Sequence, residues 1–352
     1  MGFKEGMQAI NMQMPDYVPR TEYSAHVHWD LVKKVTGIDT DILENRDRAS
    51  AKFIKDWDFS LLWYVNIHKN YLERYGKISN MGHAVYAESA SGQSDKDEKV
   101  FSLFTDIDDA LALDCPKFYG AFDQEELIRT YNTEYDNMCK TFPDTVNMGG
   151  VYITLISGLT YVYGWEMFLE CMAYEEFDKV MESYYEWCRQ FYEAFAKSKV
   201  PVLMMHDDIT WTSGKFASYD WYKRNVIPYL KKLLEPCKQA GKKILFTSDG
   251  DYREFTDDIV DCGADMLVFE PGSDMEGFAR KHGKTHGFVG DVDTRVLLSG
   301  TKEDIEREVL RVMNFGKQYP GFVCAVGNHI PPNTPVDNAL WYDEFYRKYR
   351  QR

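Results

Sequence analysis

The chain has 352 residues, 44% of them hydrophobic and 15% aromatic, so a large core is available and general disorder is excluded. A formal charge of −15 gives no counterion-release attraction to nucleic acid or an anionic membrane, and it disfavours polyanionic substrates. Seven cysteines with no Cys-x-x-Cys pair imply reduced thiols and a cytoplasmic setting. No window approaches the roughly 20 apolar residues of a membrane span. The first residues lack the apolar core of a secretory signal, so no such signal is expected.

In chain order, the first strand candidates are residues 18–23, 59–65 and 151–156. The polar stretch 89–99 reads as a surface loop. A regular rhythm follows, in which short apolar runs end in polar clusters. Residues 201–205 run into His206-Asp207-Asp208, and 243–246 run into Thr247-Ser248-Asp249-Gly250-Asp251. Residues 266–269 precede Glu270-Pro271-Gly272, 286–289 precede Gly290-Asp291-Val292-Asp293, and 322–326 precede Gly327-Asn328-His329. Helical patterns lie between them over 221–240, 252–262, 274–282 and 302–318; the last starts at Thr301-Lys302-Glu303-Asp304, a capping-box pattern.

Near-continuous apolar strands alternating with helices predict a parallel sheet covered on both faces. Eight strand candidates match a (β/α)8 TIM barrel, and a doubly wound open sheet is the alternative. No Gly-x-Gly-x-x-Gly follows any strand, so dinucleotide binding has no support. The expected organisation is one barrel over residues 1–352, with an N-terminal extension and an insertion around 67–147.

In such a barrel the site forms where the strands' C-terminal ends meet. The strand-end inventory is Glu22, Tyr23, residues 63–66, His206, Asp207, Asp208, Asp249, Asp251, Glu270, Asp291, Asp293 and His329. Carboxylates packed this densely repel unless protons or a cation compensate them, and oxygen and imidazole donors suit zinc or a harder ion. The expected metal ligands are drawn from Asp249, Glu270, His206, His329 and Asp208. Asp249, His329 and Asp208 are the expected catalytic residues; Glu22, Tyr23, Trp211 and Asp291 are expected to bind substrate. Asp207, Asp251 and Asp293 can equally be helix caps. Tyr161, Tyr163, Trp165 and Trp211 are either core or the wall of a pocket for a flat ligand. His26, His28, His68, His83, His282 and His286 read as surface or packing residues.

Ser248-Asp249-Gly250, then Gly290-Asp291-Val292-Asp293 with Leu297-Leu298-Ser299-Gly300-Thr301, then Gly327-Asn328-His329-Ile330-Pro331 with Thr334-Pro335-Val336-Asp337-Asn338, occur in a family's order and spacing. The set resembles the uroporphyrinogen decarboxylase superfamily, most strongly over residues 200–349, and the resemblance implies a (β/α)8 barrel. The decarboxylases carry an N-terminal Arg-Gln-Ala-Gly-Arg signature, where this chain has Val18-Pro19-Arg20-Thr21-Glu22-Tyr23. The methyltransferases of the superfamily bind zinc through His-x-Cys-Gly and a later Gly-Cys-Gly. Here the two cysteine positions hold Asp249 and Asn328, with His329 beside the second.

The resemblance therefore implies a demethylating methyltransferase. Such an enzyme passes a methyl group from a small, methoxylated aromatic donor to the cobalt of a cobalamin carried by a separate corrinoid protein. No Asp-x-His-x-x-Gly corrinoid segment is present in the chain. The expected cofactors are zinc and the partner's cobalamin, and a homo-oligomer is compatible with the sequence. A decarboxylase and a non-catalytic small-molecule-binding barrel are the alternatives.

Overall fold

Seven apolar segments form parallel strands: β1 Leu61–Ile67, β2 Val146–Val151, β3 Val202–His206, β4 Lys243–Thr247, β5 Met266–Val268, β6 Gly287–Val292 and β7 Phe322–Val326. They pair in chain order as one sheet. The structure is a computed structural model that describes residues 2–67, 72, 102 and 104–352. Residues 19–21 close the ring as its eighth stave. On one side Cys324 N donates to Pro19 O (2.9 Å) and Thr21 N to Cys324 O (3.1 Å); on the other, Ser60 N donates to Arg20 O (2.8 Å). The stave is a single parallel bridge, Arg20 to Cys324, rather than a full strand. The fold is the (β/α)8 TIM barrel of the sequence reading.

The helices are α1 Gly2–Ile10, α2 Trp29–Thr36, α3 Arg46–Asp56, α4 Ile107–Leu111, α5 Cys115–Tyr119, α6 Gln124–Thr141, α7 Leu155–Cys171 and α8 Phe177–Lys197. The second half adds α9 Tyr219–Asn225, α10 Ile227–Gln239, α11 Thr256–Cys262, α12 Met275–His282, α13 Thr294–Ser299, α14 Lys302–Gly316 and α15 Val336–Tyr349. Strand alternation divides the apolar residues into two cores. Leu61, Val146, Met148, Val202, Met204, Leu245, Met266, Val289 and Val323 fill the barrel, together with Ala9 and Ile10 of α1. Helix α1 lies against the starts of β1 and β2, where a Cβ on Gly6 would meet Ser60 O and Val146. The other strand faces pack against the helices.

Two sequence expectations shift. The strand expected at 151–156 lies earlier, and Leu155 and Ile156 instead open α7. Helix α7 is buried on nearly every face, so its apolar run carries no helical period to separate it from a buried strand. Within β2, Gly150 has no room for a side chain, since a Cβ would lie 2.6 Å from Tyr64 O. The single helix expected over 221–240 breaks at Val226, two residues before Pro228, which has no N–H to donate to the preceding turn and whose ring crowds that turn's carbonyl. The expected capping box at Thr301 and Asp304 is present, with each side chain bonded to the other's backbone.

The loop expected at 89–99, and His68 and His83, lie outside the described residues, as does part of the expected insertion around 67–147. Three helices, α4 to α6, are described between β1 and β2. Among the described residues no helix is long and apolar enough to cross a membrane. All seven cysteines are unpaired.

Candidate functional site

Strands β3 and β4 run parallel in register, with His206 opposite Thr247. Val202 and Met204 point into the barrel, so the alternation carries His206 inward at the strand's end. Two residues further along each chain, Asp208 and Asp249 meet: Asp249 N donates to Asp208 Oδ1 at 3.0 Å. His206 Nε2 lies 2.8 Å from Asp208 Oδ1 and 3.7 Å from Asp249 Oδ1. One ligand atom from each of these three residues falls within 4.8 Å of the others, the one such cluster of three among the described residues. Tetrahedral zinc with bonds of about 2.0–2.1 Å sets its ligand atoms about 3.4 Å apart. The His206 distances bracket that spacing, and the nitrogen-and-oxygen donor set suits a borderline or hard divalent ion, so the residues fit a metal.

The loops around the triad are fixed in place. Ser157 at the start of α7 exchanges hydrogen bonds with Asp208, accepting from its N–H at 2.8 Å and donating to Oδ2 at 3.4 Å. Gly250 has φ +81°, and a Cβ there would lie 2.4 Å from Trp211 O, so glycine is required where the β3 and β4 loops cross. Burial disfavours charge on His206, but Asp208 and Asp249 outweigh it and hold its pKa well above the usual histidine value. Burial and the neighbouring Asp249 push Glu270 up, against the donors Gly250 N and Asn328. Glu270 Oε2 accepts from Gly250 N at 2.9 Å, and Oε1 accepts from Asn328 Nδ2. Asn328 Nδ2 also reaches Asp249 Oδ2 at 3.3 Å, and its Oδ1 bonds His329 Nδ1.

Aromatic residues form one wall. Tyr23 and Tyr152 hydroxyls are 2.8 Å apart. The Tyr152 ring stands edge-on to His206 at 5.3 Å, and Trp63 packs edge-on to Tyr23 at 5.5 Å. Trp211 lies at the rim, 42% exposed, with Trp165 and Phe216 each 5.8 Å away.

The structure thus gathers His206, Asp208 and Asp249, sets Glu270 and His329 behind them through Asn328, and places Tyr23 in the wall. Glu22 and Asp291 lie elsewhere. Glu22 is one residue out of phase with Tyr23 and faces outward, accepting from Val326 N at 3.1 Å and from the Tyr342 hydroxyl. Asp291 is buried against Arg311 of α14 at 3.0 Å. Asp207 caps α7, accepting from Leu155, Ile156 and Ser157 backbone N–H groups. Asp293 caps α13, and Asp251 accepts from Arg253 N at 3.2 Å. The sequence reading missed Tyr152 and Ser157. Tyr152 shares the inward phase of Met148, a signal hidden by the misplaced second strand.

Fold and site define an α/β barrel with a half-buried nitrogen-and-oxygen centre at its mouth. A family model for uroporphyrinogen decarboxylase (URO-D) matches residues 135–349, and the chain belongs to that family. Curated relatives include a uroporphyrinogen decarboxylase of Thermus thermophilus, 25% identical over 170 residues that make up 48% of each chain. That of Geotalea uraniireducens is 26% identical over 180 residues, 51% of each chain. The chain spans about half the length of these curated relatives. Among solved structures, a methyltransferase from Methanosarcina mazei superposes with a TM-score of 0.65 over 99% of this chain and 98% of that one, at 15% identity, and so shares the fold.

Proposed function

We propose that the chain is a methyltransferase that takes a methyl group from a small donor, a methoxylated aromatic, and delivers it to the cobalt of a separate corrinoid protein. The observation that carries this reading is the His206–Asp208–Asp249 triad set beside the Tyr23, Trp63 and Tyr152 wall. The Methanosarcina mazei protein, which shares the fold over its whole length, is a methyltransferase, which agrees with this reading. His206 Nε2 and one carboxylate oxygen each of Asp208 and Asp249 would hold the metal, zinc in this reading. When bound, the metal supplies Lewis-acid stabilisation of the phenolate oxygen as negative charge develops there. Three protein ligands would leave room at the metal for that oxygen. The aromatic wall excludes water and orients the ring. The acceptor must reach the methyl carbon, so the partner docks over the open mouth. We place the reaction in the cytoplasm, where seven unpaired thiols are stable.

The names of the curated relatives favour a second reading, porphyrinogen decarboxylation. Arg20, the arginine of the chain's 18–23 segment, is fully buried and turned outward among Trp57, Tyr346 and Asp343, away from any substrate in the barrel. A polyanionic substrate would also meet an acidic mouth.

Incubation with a reduced corrinoid protein and a panel of methoxyarenes should yield methyl-cobalt absorbance with at least one donor. No absorbance change with any donor, together with porphyrinogen turnover, would reverse the choice.

Zinc affinity should depend on pH. His206 Nε2 bonds Asp208 through a proton that must leave before the nitrogen can ligate. Because the neighbouring carboxylates raise the His206 pKa, that proton is held more tightly than on a free imidazole and competes with metal. Affinity should therefore rise as pH is raised from about 6 to about 8. Zinc titration calorimetry over that range measures the slope, and a flat profile would remove His206 from the ligand set.

A further inference from the structure

We propose that Asn328 is the positioning residue of this centre, with His329 acting on Asn328 rather than on metal. The proposal rests on the metal reading above and deepens it.

Asn328 follows β7 with φ +66°, a left-handed conformation that asparagine tolerates better than most residues. Its Nδ2 lies 3.3 Å from Asp249 Oδ2 and also reaches Glu270 Oε1. The amide is set with its nitrogen toward the two carboxyl groups, where it donates to both. Oδ1 then faces His329 Nδ1. That oxygen only accepts, so the proton must sit on His329 Nδ1. Polarity thus runs one way, from His329 through Asn328 to Asp249.

Two consequences follow for ligation. Asp249 has Oδ2 tied to Asn328 and presents Oδ1 to His206. Glu270 has one oxygen on Asn328 and the other on Gly250 N at 2.9 Å, which restrains its carboxyl group beside the triad. The one amide therefore orients Asp249 and restrains Glu270 together. Outer partners that orient ligands in this way typically contribute about 10–100-fold to metal affinity.

The test uses the full-length protein and zinc alone. Asn328→Leu removes the amide at similar volume, and Asn328→Gly, which accepts the left-handed backbone without strain, is measured beside it; His329→Leu removes the donor, whereas His329→Asn keeps a donor near the Nδ1 position. Circular dichroism confirms folding of each variant. We expect both leucine variants and Asn328→Gly to bind zinc about tenfold or more weakly, and His329→Asn to recover most of that loss. Long-range proton–nitrogen NMR of the metal-free protein should show His329 protonated at Nδ1. Wild-type zinc affinity in folded Asn328→Leu or Asn328→Gly, or a His329 carrying its only proton on Nε2, would overturn the proposal. If the wild-type protein binds no zinc at all, the metal reading and the positioning of ligands fail together. The NMR result in the metal-free protein then reports on the His329–Asn328–Asp249 orientation separately.

Discussion

Asp249→Ala should abolish metal binding and methyl transfer together, while leaving the barrel folded. Asp249 is the one residue that touches every part of the centre. Its backbone N–H donates to Asp208 at 3.0 Å, its Oδ1 faces His206 at 3.7 Å, and its Oδ2 meets Asn328 at 3.3 Å. The alanine variant keeps the backbone bond and loses both side-chain contacts. Two donors then remain, His206 and Asp208, which already satisfy one another at 2.8 Å as an ion pair. A pair without a third ligand no longer forms the three-ligand catalytic zinc site. The loss should exceed the roughly 10–100-fold typical of an outer-sphere change. The aspartate side chain is about one-third exposed, so its removal leaves no deep cavity and should change stability little. Elemental analysis after reconstitution and the methyl-cobalt assay read the two losses. Retention of both metal and turnover would take Asp249 out of the site. Retained turnover without metal would instead support a metal-free centre, in which Asp208 holds a protonated His206.

Much of this site is legible in the sequence because its residues follow strands. The apolar runs before His206 and Asp249 end at the barrel mouth, and parallel register then places the two side by side. Phase is the part that sequence does not carry. A barrel strand is apolar on both faces, so nothing local says whether Glu22 or Tyr23 turns inward, and the sequence reading puts both in the site. The structure sends Tyr23 in and Glu22 out to Tyr342. Asp291 likewise faces Arg311 rather than the mouth. Tyr152 escapes the sequence reading because Asn147 and the adjacent glycines of β2 look unlike a strand, and the more apolar segment beyond it draws the assignment. Asn328 stands at a lost cysteine position. Seen only that way, it is defined by the ligand it lacks, and the two hydrogen bonds its amide donates go unnoticed.

The largest stability loss should come from Arg20→Met, well away from the triad. Arg20 is fully buried in the closing stave of the barrel. Its guanidinium lies 4.2 Å from the Tyr346 ring centroid and 4.7 Å from that of Trp57, and it pairs with Asp343 at 2.8 Å. It also donates to the Trp57 carbonyl. Burial alone would depress its charge, but Asp343 and the surrounding tyrosines keep it cationic. One side chain thus ties the 19–21 stave to α3 and α15, where the ring closes between β7 and β1. Methionine fills much of the volume but leaves the Trp57 carbonyl and Asp343 without this donor, and Glu22 loses the buried cation beside it. Breaking a buried ion pair from one side costs about 3–5 kcal/mol. The lower end is expected here, because Asp343 keeps Arg347 at 2.8 Å. Urea unfolding should show the midpoint falling with an unchanged slope, as expected for a loss of native-state contacts. A midpoint within error of wild type would mean that the stave is held by its backbone bonds alone. The double variant Arg20→Met with Asp343→Leu should recover part of the loss, since an apolar pair of similar volume also removes the carboxylate that has lost its buried partner.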